Sequence, residues 1–431
     1  MKKESINVGV IGFGTVGVGT VELLEKNREW IACRIGVPIN VVKVVDLDWK
    51  SEREYEITSE QKSTNIDDVL QNDDIDIVIE AIGGVGVAKT VITRALEAEK
   101  SVVTPNKELI AKYGAELMQL ADQKKIDLMF EGAVGGGIPI IRPMKTSLAG
   151  DNVQKIVGIV NGTTNYILTA MSEEGADFQD VLKIAQEKGY AEADPTADVE
   201  GFDATYKLAI LSSIAFSTHI NVDDIYHEGI TKITATEIKY AKKLGYEIKL
   251  LAIGEVKGDS LQLRVHPTFV PLSHPLASVN GVFNAIFIES DPVGNLMFYG
   301  RGAGSGPTGS ALVGDVIDAA RNILNNASGR TPCTCNTTRD ILSISELESK
   351  YYIRTKVKDV VGVLGKMADI FGANNVNLTS VFQPDQITDG NTAEIVWLTH
   401  QVKEENLQNA LKELSSIDSV LEISSCIRAL E

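Results

Sequence analysis

Apolar residues in the first third of the chain form short, β-branched runs that are separated by stretches of helical periodicity. The runs lie at 6–11, 41–45, 75–79, 101–104 and 127–130. Strands that alternate with helices are typical of a parallel, doubly wound sheet. The pattern therefore predicts an α/β domain over residues 1–136.

The middle of the chain is less regular. Helical periodicity at 163–188 and 200–216 is followed by strand patterns at 247–256, 260–269 and 294–300. This mixture predicts an α+β domain over residues 137–303, for substrate binding or dimerisation. A glycine-rich stretch at 300–307 precedes another helical pattern, and we expect a helix at 304–325 to return to the first domain.

The C-terminal fifth of the chain follows a polar segment at 326–350, which we predict to be a linker because it is rich in Gly, Pro, Ser and Thr. The later segments alternate in the order β-α-β-β-α-β, at 352–357, 361–371, 377–382, 393–400, 404–414 and 421–427. This order is typical of a ferredoxin-like βαββαβ module, which we place at 351–431.

Composition limits the possible partners. The chain has 431 residues, of which 44% are hydrophobic, so it is long enough for two or three packed domains. Its net charge of -18 opposes binding to nucleic acid and to anionic lipid. The basic start Met1-Lys2-Lys3 imitates a signal peptide, but the alternating Ile6, Val8 and Val10 favour a strand. No apolar run approaches the ~18 residues that a membrane span needs.

Four cysteines occur, namely Cys33, Cys333, Cys335 and Cys426. They are too few and too scattered for the disulfide framework of a secreted protein, which indicates a reducing, cytoplasmic location. Cys333 and Cys335 could hold a metal or a disulfide, although a C-x-C pair in a polar linker is more often neither.

A glycine motif follows the first predicted strand and opens a helix. The residues are Gly12, Phe13, Gly14, Thr15, Val16 and Gly17. In this context G-x-G-x-x-G is a dinucleotide fingerprint: its glycines permit a tight turn, close approach of pyrophosphate and close packing of helix on strand. The first domain is therefore predicted to be a Rossmann-type nucleotide-binding domain.

Asp46 follows the second predicted strand. A carboxylate there accepts hydrogen bonds from a ribose 2′-hydroxyl and repels a 2′-phosphate, which favours NAD over NADP. Lys50 and Arg53 lie close enough in sequence to offset that charge, and Asp46 could also be a simple turn residue.

Acidic residues and one lysine cluster at 192–207. Asp203 and Lys207 are i, i+4 on a predicted helix, so both side chains project from one face. The spacing alone favours a surface salt bridge.

Several motifs occur in order over residues 5–325, and together they resemble the homoserine dehydrogenase family. They are Gly83-Gly84, Thr104-Pro105-Asn106-Lys107, the run 131–139, Asn161-Gly162-Thr163-Thr164-Asn165-Tyr166 and the stretch from Gly189 to Lys207. Pro105 stands where alanine is commoner in the family. The resemblance implies interconversion of L-homoserine and L-aspartate 4-semialdehyde, with NAD or NADP carrying the hydride.

The resemblance also implies roles for individual residues. By this resemblance, Lys207 is expected to be the general acid or base, with Asp203 beside it as a second catalytic residue. Substrate contacts are expected from Glu192, Asp198, Asp203, Lys107 and Thr163. Beyond the fingerprint and Asp46, cofactor contacts are expected from Gly83, Lys107, Gly189, Gly302 and Gly304.

A glycine-rich turn resembles the family's monovalent-cation loop. It contributes Glu131, Val134, Gly136 and Ile138, and backbone carbonyl oxygens suit a hard ion such as Na⁺. A turn that joins two domains without an ion is the alternative.

The C-terminal module resembles an ACT domain through Asp359, Gly362, Val363 and Asn377, with Val361 where a proline is usual. This resemblance implies feedback inhibition by L-threonine and a homo-oligomer, either a dimer or a tetramer. An ACT domain that only pairs subunits is the alternative.

Two other functions fit the sequence less well. Aspartate-semialdehyde dehydrogenase chemistry needs a thiol nucleophile, and no cysteine lies between residues 34 and 332. A catalytically inactive amino-acid sensor is disfavoured because Glu192, Asp203 and Lys207 are all retained.

Overall fold

The computed structural model describes residues 3–335, 337–383 and 391–430, so Met1 and Lys2 of the basic start lie outside the described residues. In chain order the strands are β1 (Ile6–Ile11), β2 (Ile39–Val45), β3 (Lys62–Ser63), β4 (Ile77–Glu80), β5 (Ser101–Val103), β6 (Leu128–Met129), β7 (Asn152–Ile159), β8 (Tyr226–His227), β9 (Tyr246–Lys257), β10 (Ser260–Pro271), β11 (Phe283–Asp291), β12 (Gly294–Arg301), β13 (Glu348–Lys358), β14 (Leu378–Phe382), β15 (Thr392–Thr399), β16 (Val402–Lys403) and β17 (Val420–Ala429).

The helices are α1 (Thr15–Lys26), α2 (Arg28–Ile35), α3 (Asp67–Leu70), α4 (Gly86–Glu97), α5 (Lys107–Lys124), α6 (Ile141–Lys145), α7 (Gly162–Glu174), α8 (Phe178–Glu187), α9 (Thr196–Val199), α10 (Phe202–Ala215), α11 (Ala235–Lys243), α12 (Ser305–Leu324), α13 (Val363–Ala373) and α14 (Glu404–Leu414).

The chain divides into two compact units, each built from three stretches of sequence. The first contains Met1–Gly162, Asp203–Ile225 and Val282–Arg339, and the second contains Thr163–Phe202, Tyr226–Gly281 and Asp340–Glu431.

The first unit contains a parallel sheet in the order β3-β2-β1-β4-β5-β6. Central β1 is buried on both faces except at Asn7, which explains its continuous apolar run. The chain leaves β1 toward β2 on one side and returns to β4 on the other. This reversal of strand order creates the crevice in which such sheets bind ligands, beyond the carboxyl end of β1. The predicted parallel α/β fold is confirmed.

Helix α12 packs against α1 in the first unit. The two backbones approach closely because Gly19 and Gly309 lack side chains: a Cβ on Gly19 would lie 2.3 Å from Ser305 Oγ, and one on Gly309 would lie 3.0 Å from Gly19 C. Leu312 and Val316 of α12 join the hydrophobic core beneath β1. The late segment therefore completes the core that the first hundred residues begin.

The first unit also holds an antiparallel group in the order β12-β11-β7. In the second unit, long β9 and β10 form an antiparallel pair, and β10 is also parallel to β17 at Thr268↔Arg428. The last four main strands follow the order β17-β13-β15-β14 and share a core with α13 and α14, which includes Phe371 and Trp397. The elements of this C-terminal module occur in the predicted order, β-α-β-β-α-β.

The structure differs from the sequence prediction in several details. The helical pattern at 163–188 forms two helices, because the chain turns at Gly175, whose φ of 68° ends α7. Strands β7 and β11 and helices α2 and α11 are present in the structure but were not predicted from the sequence. Strand β13 begins at Glu348, inside the expected linker, and α13 begins only after Gly362, which adopts a left-handed φ of 88°. Among the described residues, no helix combines the length and apolar character of a membrane span.

Candidate active site

The glycine loop joins the end of β1 to the start of α1. Gly12 has a φ of 102°, and a Cβ there would lie 2.5 Å from the carbonyl carbon of Ala81. A Cβ on Gly17 would lie 2.1 Å from the carbonyl oxygen of Gly12. Gly14 is the N-cap of α1, and a Cβ at this position would meet no described atom within 4 Å. The helix N-terminus is therefore open to an anionic group, which fits the pyrophosphate of a dinucleotide.

Asp46 lies directly beyond β2 and contacts this loop. Its Oδ2 accepts a 2.6 Å hydrogen bond from the Phe13 amide, and its Oδ1 accepts one of 2.8 Å from the Asp48 amide. Arg53 Nη2 lies 3.5 Å from Oδ1. Asp46 thus has the turn role that the sequence left open, and it is also fixed beside the glycine loop.

Glu80, at the end of β4, connects two loops that the sequence assigned to the site. Its Oε1 accepts hydrogen bonds from the amides of Ile82 (2.8 Å) and Gly83 (3.3 Å), and its Oε2 accepts one of 2.6 Å from the Thr104 hydroxyl. Asn106 donates to the Gly84 carbonyl and caps α5, the helix that begins with Lys107. This buried carboxylate therefore fixes the 82–84 loop and the 104–107 loop relative to each other.

Asp203 is the centre of a buried polar cluster in the first unit. Its Oδ2 accepts hydrogen bonds from Lys207 Nζ (2.7 Å) and from the Asn161 amide (2.8 Å), and its Oδ1 pairs with the Lys107 ammonium. Burial alone would raise the pKa of Asp203, but Lys207, Lys107 and the Asn161 amide outweigh burial and hold it well below its usual range. The carboxylate is therefore a permanent counter-charge for both lysines.

Lys207 is also buried, and its ammonium donates a second hydrogen bond of 2.7 Å to the Val160 carbonyl. The surface salt bridge that the spacing alone favours is wrong, because only 9% of the Lys207 side chain and 3% of the Asp203 side chain are exposed. Lys107, by contrast, is 44% exposed. The Asp203 carboxylate thus pairs with two ammonium groups, of which that of Lys207 is buried and that of Lys107 is partly exposed.

The remaining predicted substrate residues belong to the second unit. The Thr163 hydroxyl donates a 2.6 Å hydrogen bond to the Tyr190 carbonyl, next to Gly189, whose φ is 73°. Glu192 is exposed, and Asp198 is partly buried within α9.

Gly302 and Gly304 lie in the first unit, between β12 and α12. A Cβ on Gly302 would lie 2.1 Å from Asn284 Nδ2, and Gly304 is the N-cap of α12 with a φ of 121°. These positions therefore require glycine for close packing and for a left-handed turn.

The 131–138 turn is held together by the Glu131 side chain. Its carboxylate accepts hydrogen bonds from the amides of Ile140 (2.6 Å), Ile141 (2.7 Å) and Arg142 (2.7 Å), at the start of α6. Gly136 has a φ of 48°, and a Cβ there would lie 2.5 Å from the Gly302 carbonyl oxygen. Val134 and Ile138 are buried. An ion in this turn would be held by backbone carbonyls, which suits the predicted hard cation; no group of three or more His, Cys, Asp or Glu suited to a metal occurs among the described residues.

The predicted effector residues lie after β13, at the start of α13 and just before β14. Gly362 is the N-cap of α13 and is followed by buried Val363, while Asp359 and Asn377 are exposed. The Asp359 amide donates to the Asn391 carbonyl, and the Asn377 carbonyl accepts from the His400 amide.

Two segments of the chain match models of a known protein family. Residues 12–131 match the family model "Homoserine dehydrogenase, NAD binding domain", and residues 139–317 match the model "Homoserine dehydrogenase". The chain is 44% identical over 437 residues to a homoserine dehydrogenase of Synechocystis, covering 99% of this chain and 100% of that protein. The chain belongs to the homoserine dehydrogenase family. It is accordingly an NAD(P)-dependent oxidoreductase.

Solved structures of homoserine dehydrogenases are similar to this chain. One from Thiobacillus denitrificans is 38% identical, with a TM-score of 0.93 over 99% of this chain and 98% of that chain. A hyperthermophilic archaeal homoserine dehydrogenase in complex with NADPH is 29% identical, with a TM-score of 0.60 over 73% of this chain and 97% of that chain. Both family models end before the C-terminal module.

Two residues of this candidate site were not assigned from the sequence. Glu80 was not assigned, although a carboxylate that ends an apolar strand just before Gly83-Gly84 was visible in the sequence. Asn161 was part of a recognised motif but received no role. Its amide contact with Asp203 depends on chain segments 42 residues apart, which no local pattern shows.

Proposed function

We propose that this homoserine dehydrogenase interconverts L-homoserine and L-aspartate 4-semialdehyde, with Lys207 as the proton donor and acceptor at the reacting oxygen. The bound nicotinamide supplies or accepts the hydride. As an ammonium, Lys207 would protonate the alkoxide that develops when the aldehyde is reduced, and as an amine it would accept the hydroxyl proton during oxidation. The buried Asp203–Lys207 pair supports this role, because Asp203 fixes the direction of the lysine.

Asp203 is proposed to act mainly through its two lysines. Because it stays ionised, it can hold Lys207 in place while Lys107, which is partly exposed, contacts the substrate or the nicotinamide end of the cofactor. Glu192 and Asp198 are proposed to accept hydrogen bonds from the substrate ammonium, and Thr163 is proposed to contribute a hydroxyl. The exposure of Glu192 supports a ligand-facing role.

For the cofactor, we propose that NAD is preferred and NADP is accepted. The Asp46 carboxylate lies against the glycine loop, where it would favour a ribose 2′-hydroxyl over a 2′-phosphate. Arg53 beside it partly neutralises that charge and offers a phosphate partner. The complex of the archaeal relative with NADPH supports the use of both cofactors. We propose contacts to the cofactor from Gly12 through Gly17, Gly83, Gly189, Gly302 and Gly304.

We propose that the 131–138 turn holds Na⁺ through backbone carbonyls of Glu131, Val134, Gly136 and Ile138, with a structural role. The tight turn at the left-handed Gly135 and Gly136 supports this, because backbone carbonyl oxygens suit a hard cation.

We further propose that the C-terminal module is an ACT domain that binds L-threonine near Asp359, Gly362, Val363 and Asn377, within a dimer or tetramer. The β-α-β-β-α-β order and the exposed Asp359 and Asn377 side chains support this. Threonine should lower turnover of the wild-type enzyme, and the Asp359→Ala variant should need more threonine for the same inhibition while its uninhibited turnover is unchanged. Equal inhibition of both would count against this site.

The proposed reaction is tested by following nicotinamide reduction with L-homoserine, using NAD and NADP in parallel. Robust homoserine-dependent turnover is expected. Folded protein that binds the cofactor but does not turn over would instead support the sensor function.

A further inference from the structure

A small cavity in the first unit is lined by residues other than those of the cluster around Asp203. Its volume is about 50 Å³, and apolar side chains of α5 and α10 form most of its wall, among them Met118 and Ile210. The wall also contains Cys333, Cys335 and Lys145. Two thiols and an ammonium therefore meet in a largely apolar environment.

The two cysteines stand two residues apart on the same wall of the cavity. The Cys335 thiol donates a 3.6 Å hydrogen bond to the Ser213 carbonyl oxygen near the end of α10. The Cys333 amide donates a 3.2 Å hydrogen bond to Asp122 of α5. Both cysteines are only partly buried, so a small reagent can reach them.

Lys145, the last residue of α6, supplies positive charge beside this pair. Its ammonium lies 4.7 Å from the centre of the Phe130 ring, and its largest attractive charge interaction is with Cys333. It also lines a neighbouring cavity of about 330 Å³. Such an electropositive, partly accessible setting is typical of reactive rather than structural cysteines.

We propose that Cys333 and Cys335 form a redox-active dithiol that a peroxide converts to an intramolecular disulfide. The Cys333 thiolate attacks one peroxide oxygen, so that an S–O bond forms, the O–O bond breaks and hydroxide leaves to become water. The Cys335 sulphur then attacks the Cys333 sulphur, so that an S–S bond forms, the S–O bond breaks and a second water leaves with the thiol proton. The two thiols lose two electrons in total, and the peroxide gains them.

The charges around the pair support this division of roles. Cys335 and Lys145 lower the pKa of the Cys333 thiol to about 6, while burial and Asp122 oppose them. Cys333 and burial raise the pKa of Cys335, which therefore remains a thiol. Burial lowers the pKa of Lys145, while the two cysteines, Asp315 and Asp122 favour its charged form, and His219 also lines the cavity. Cys333 is thus the attacking sulphur and Cys335 the resolving one.

The other two cysteines provide internal controls. Cys33 is exposed on α2, and burial raises the pKa of the Cys426 thiol to about 12. Trypsin should separate all three sites, because Cys33 falls in the peptide 29–34, Cys426 in 413–428, and both proposed partners in 331–339.

The test treats the reduced full-length protein with hydrogen peroxide near neutral pH, then alkylates and digests it. We expect peptide 331–339 to lose two hydrogen atoms and to resist alkylation, and reduction should restore its alkylation. This change should come before any change in the peptides that contain Cys33 and Cys426. In Cys335→Ser, the sulfenic acid on Cys333 should persist and be trapped by dimedone. If peptide 331–339 stays fully alkylatable while Cys33 is oxidised, or if only disulfides between chains form, the proposal is overturned.

The Lys145→Met variant tests the contribution of the ammonium. Oxidation of Cys333 should slow by about threefold to tenfold near neutral pH and recover as the pH is raised. Lys124→Met, which removes a partly exposed lysine of α5 that does not line the cavity, is the matched control and should leave the rate unchanged. Equal rates in the wild type and Lys145→Met would remove Lys145 from the site.

Discussion

Asp203 and Lys207 form an i, i+4 ion pair of 2.7 Å that is almost completely buried. The first unit contains a matched pair on α5: Glu108 and Lys112 have the same spacing and the same 2.7 Å separation, but their side chains are 35% and 40% exposed. An exposed pair of this kind contributes little to stability. A buried pair is costly to desolvate, so its presence indicates a role beyond stability.

The first prediction compares these two lysines. Lys207→Met should lower turnover by about 10²- to 10⁴-fold, because it removes the proposed proton donor, while the cofactor affinity measured by nucleotide fluorescence changes little. Lys112→Met should keep near-normal turnover. If Lys207→Met retained wild-type turnover, the assignment of Lys207 would be wrong.

The second prediction concerns Asp46 and cofactor choice. Asp46→Asn keeps an oxygen acceptor for the Phe13 amide but removes the negative charge. We expect the ratio of kcat/KM for NADP to that for NAD to rise by about tenfold. Asp48→Asn removes the same charge two residues away and is the control. An unchanged ratio in Asp46→Asn, or a wild-type enzyme that clearly prefers NADP, would contradict the proposed NAD preference.

The parallel sheet and the glycine loop could be predicted from sequence because their determinants are local. The apolar run of β1 and the glycine spacing at 12–17 each specify a short piece of backbone. The C-terminal module was predictable for the same reason, since each of its elements has its own periodicity.

The missed features depend on contacts that are distant in sequence. Strand β7 has polar residues at one end and pairs with β11, more than a hundred residues later, so neither strand is clear from its own pattern. The burial of Lys207 likewise depends on Val160 and Asn161, which come from another segment of the chain. Spacing alone could identify the Asp203–Lys207 pair but not its environment.

The third prediction concerns Glu80 as a positioning residue. In Glu80→Gln, one carboxylate oxygen becomes an amide nitrogen, which cannot accept a hydrogen bond. Either the loop amides or the Thr104 hydroxyl therefore lose this buried acceptor. We expect kcat/KM to fall by about tenfold to a hundredfold, with weaker cofactor binding. The control Glu97→Gln changes an exposed carboxylate at the end of α4 and should have little effect. Wild-type cofactor affinity in Glu80→Gln would argue against this positioning role.

The fourth prediction concerns Lys249, a buried lysine of β9. Its ammonium donates hydrogen bonds to the Val279 carbonyl (2.6 Å) and to Asn280 Oδ1 (2.9 Å). Burial lowers the pKa of Lys249 to about 8, although Glu247 and Glu173 oppose the shift. Between pH 8 and the usual lysine value of 10.5, the unfolded chain therefore binds more protons than the folded one. In that window Lys249 makes the folded state more stable as the pH rises.

Lys249→Met should remove this dependence. The Met variant is expected to be less stable than the wild type, because two buried acceptors lose their donor. The informative quantity is the difference in unfolding free energy between wild type and variant, which should grow by on the order of 3 kcal/mol as the pH rises through the window. Chemical unfolding of both proteins across this range measures it, and groups that titrate equally in both cancel in the difference. A difference that stays constant with pH would show that the folded protein does not lower the pKa of Lys249.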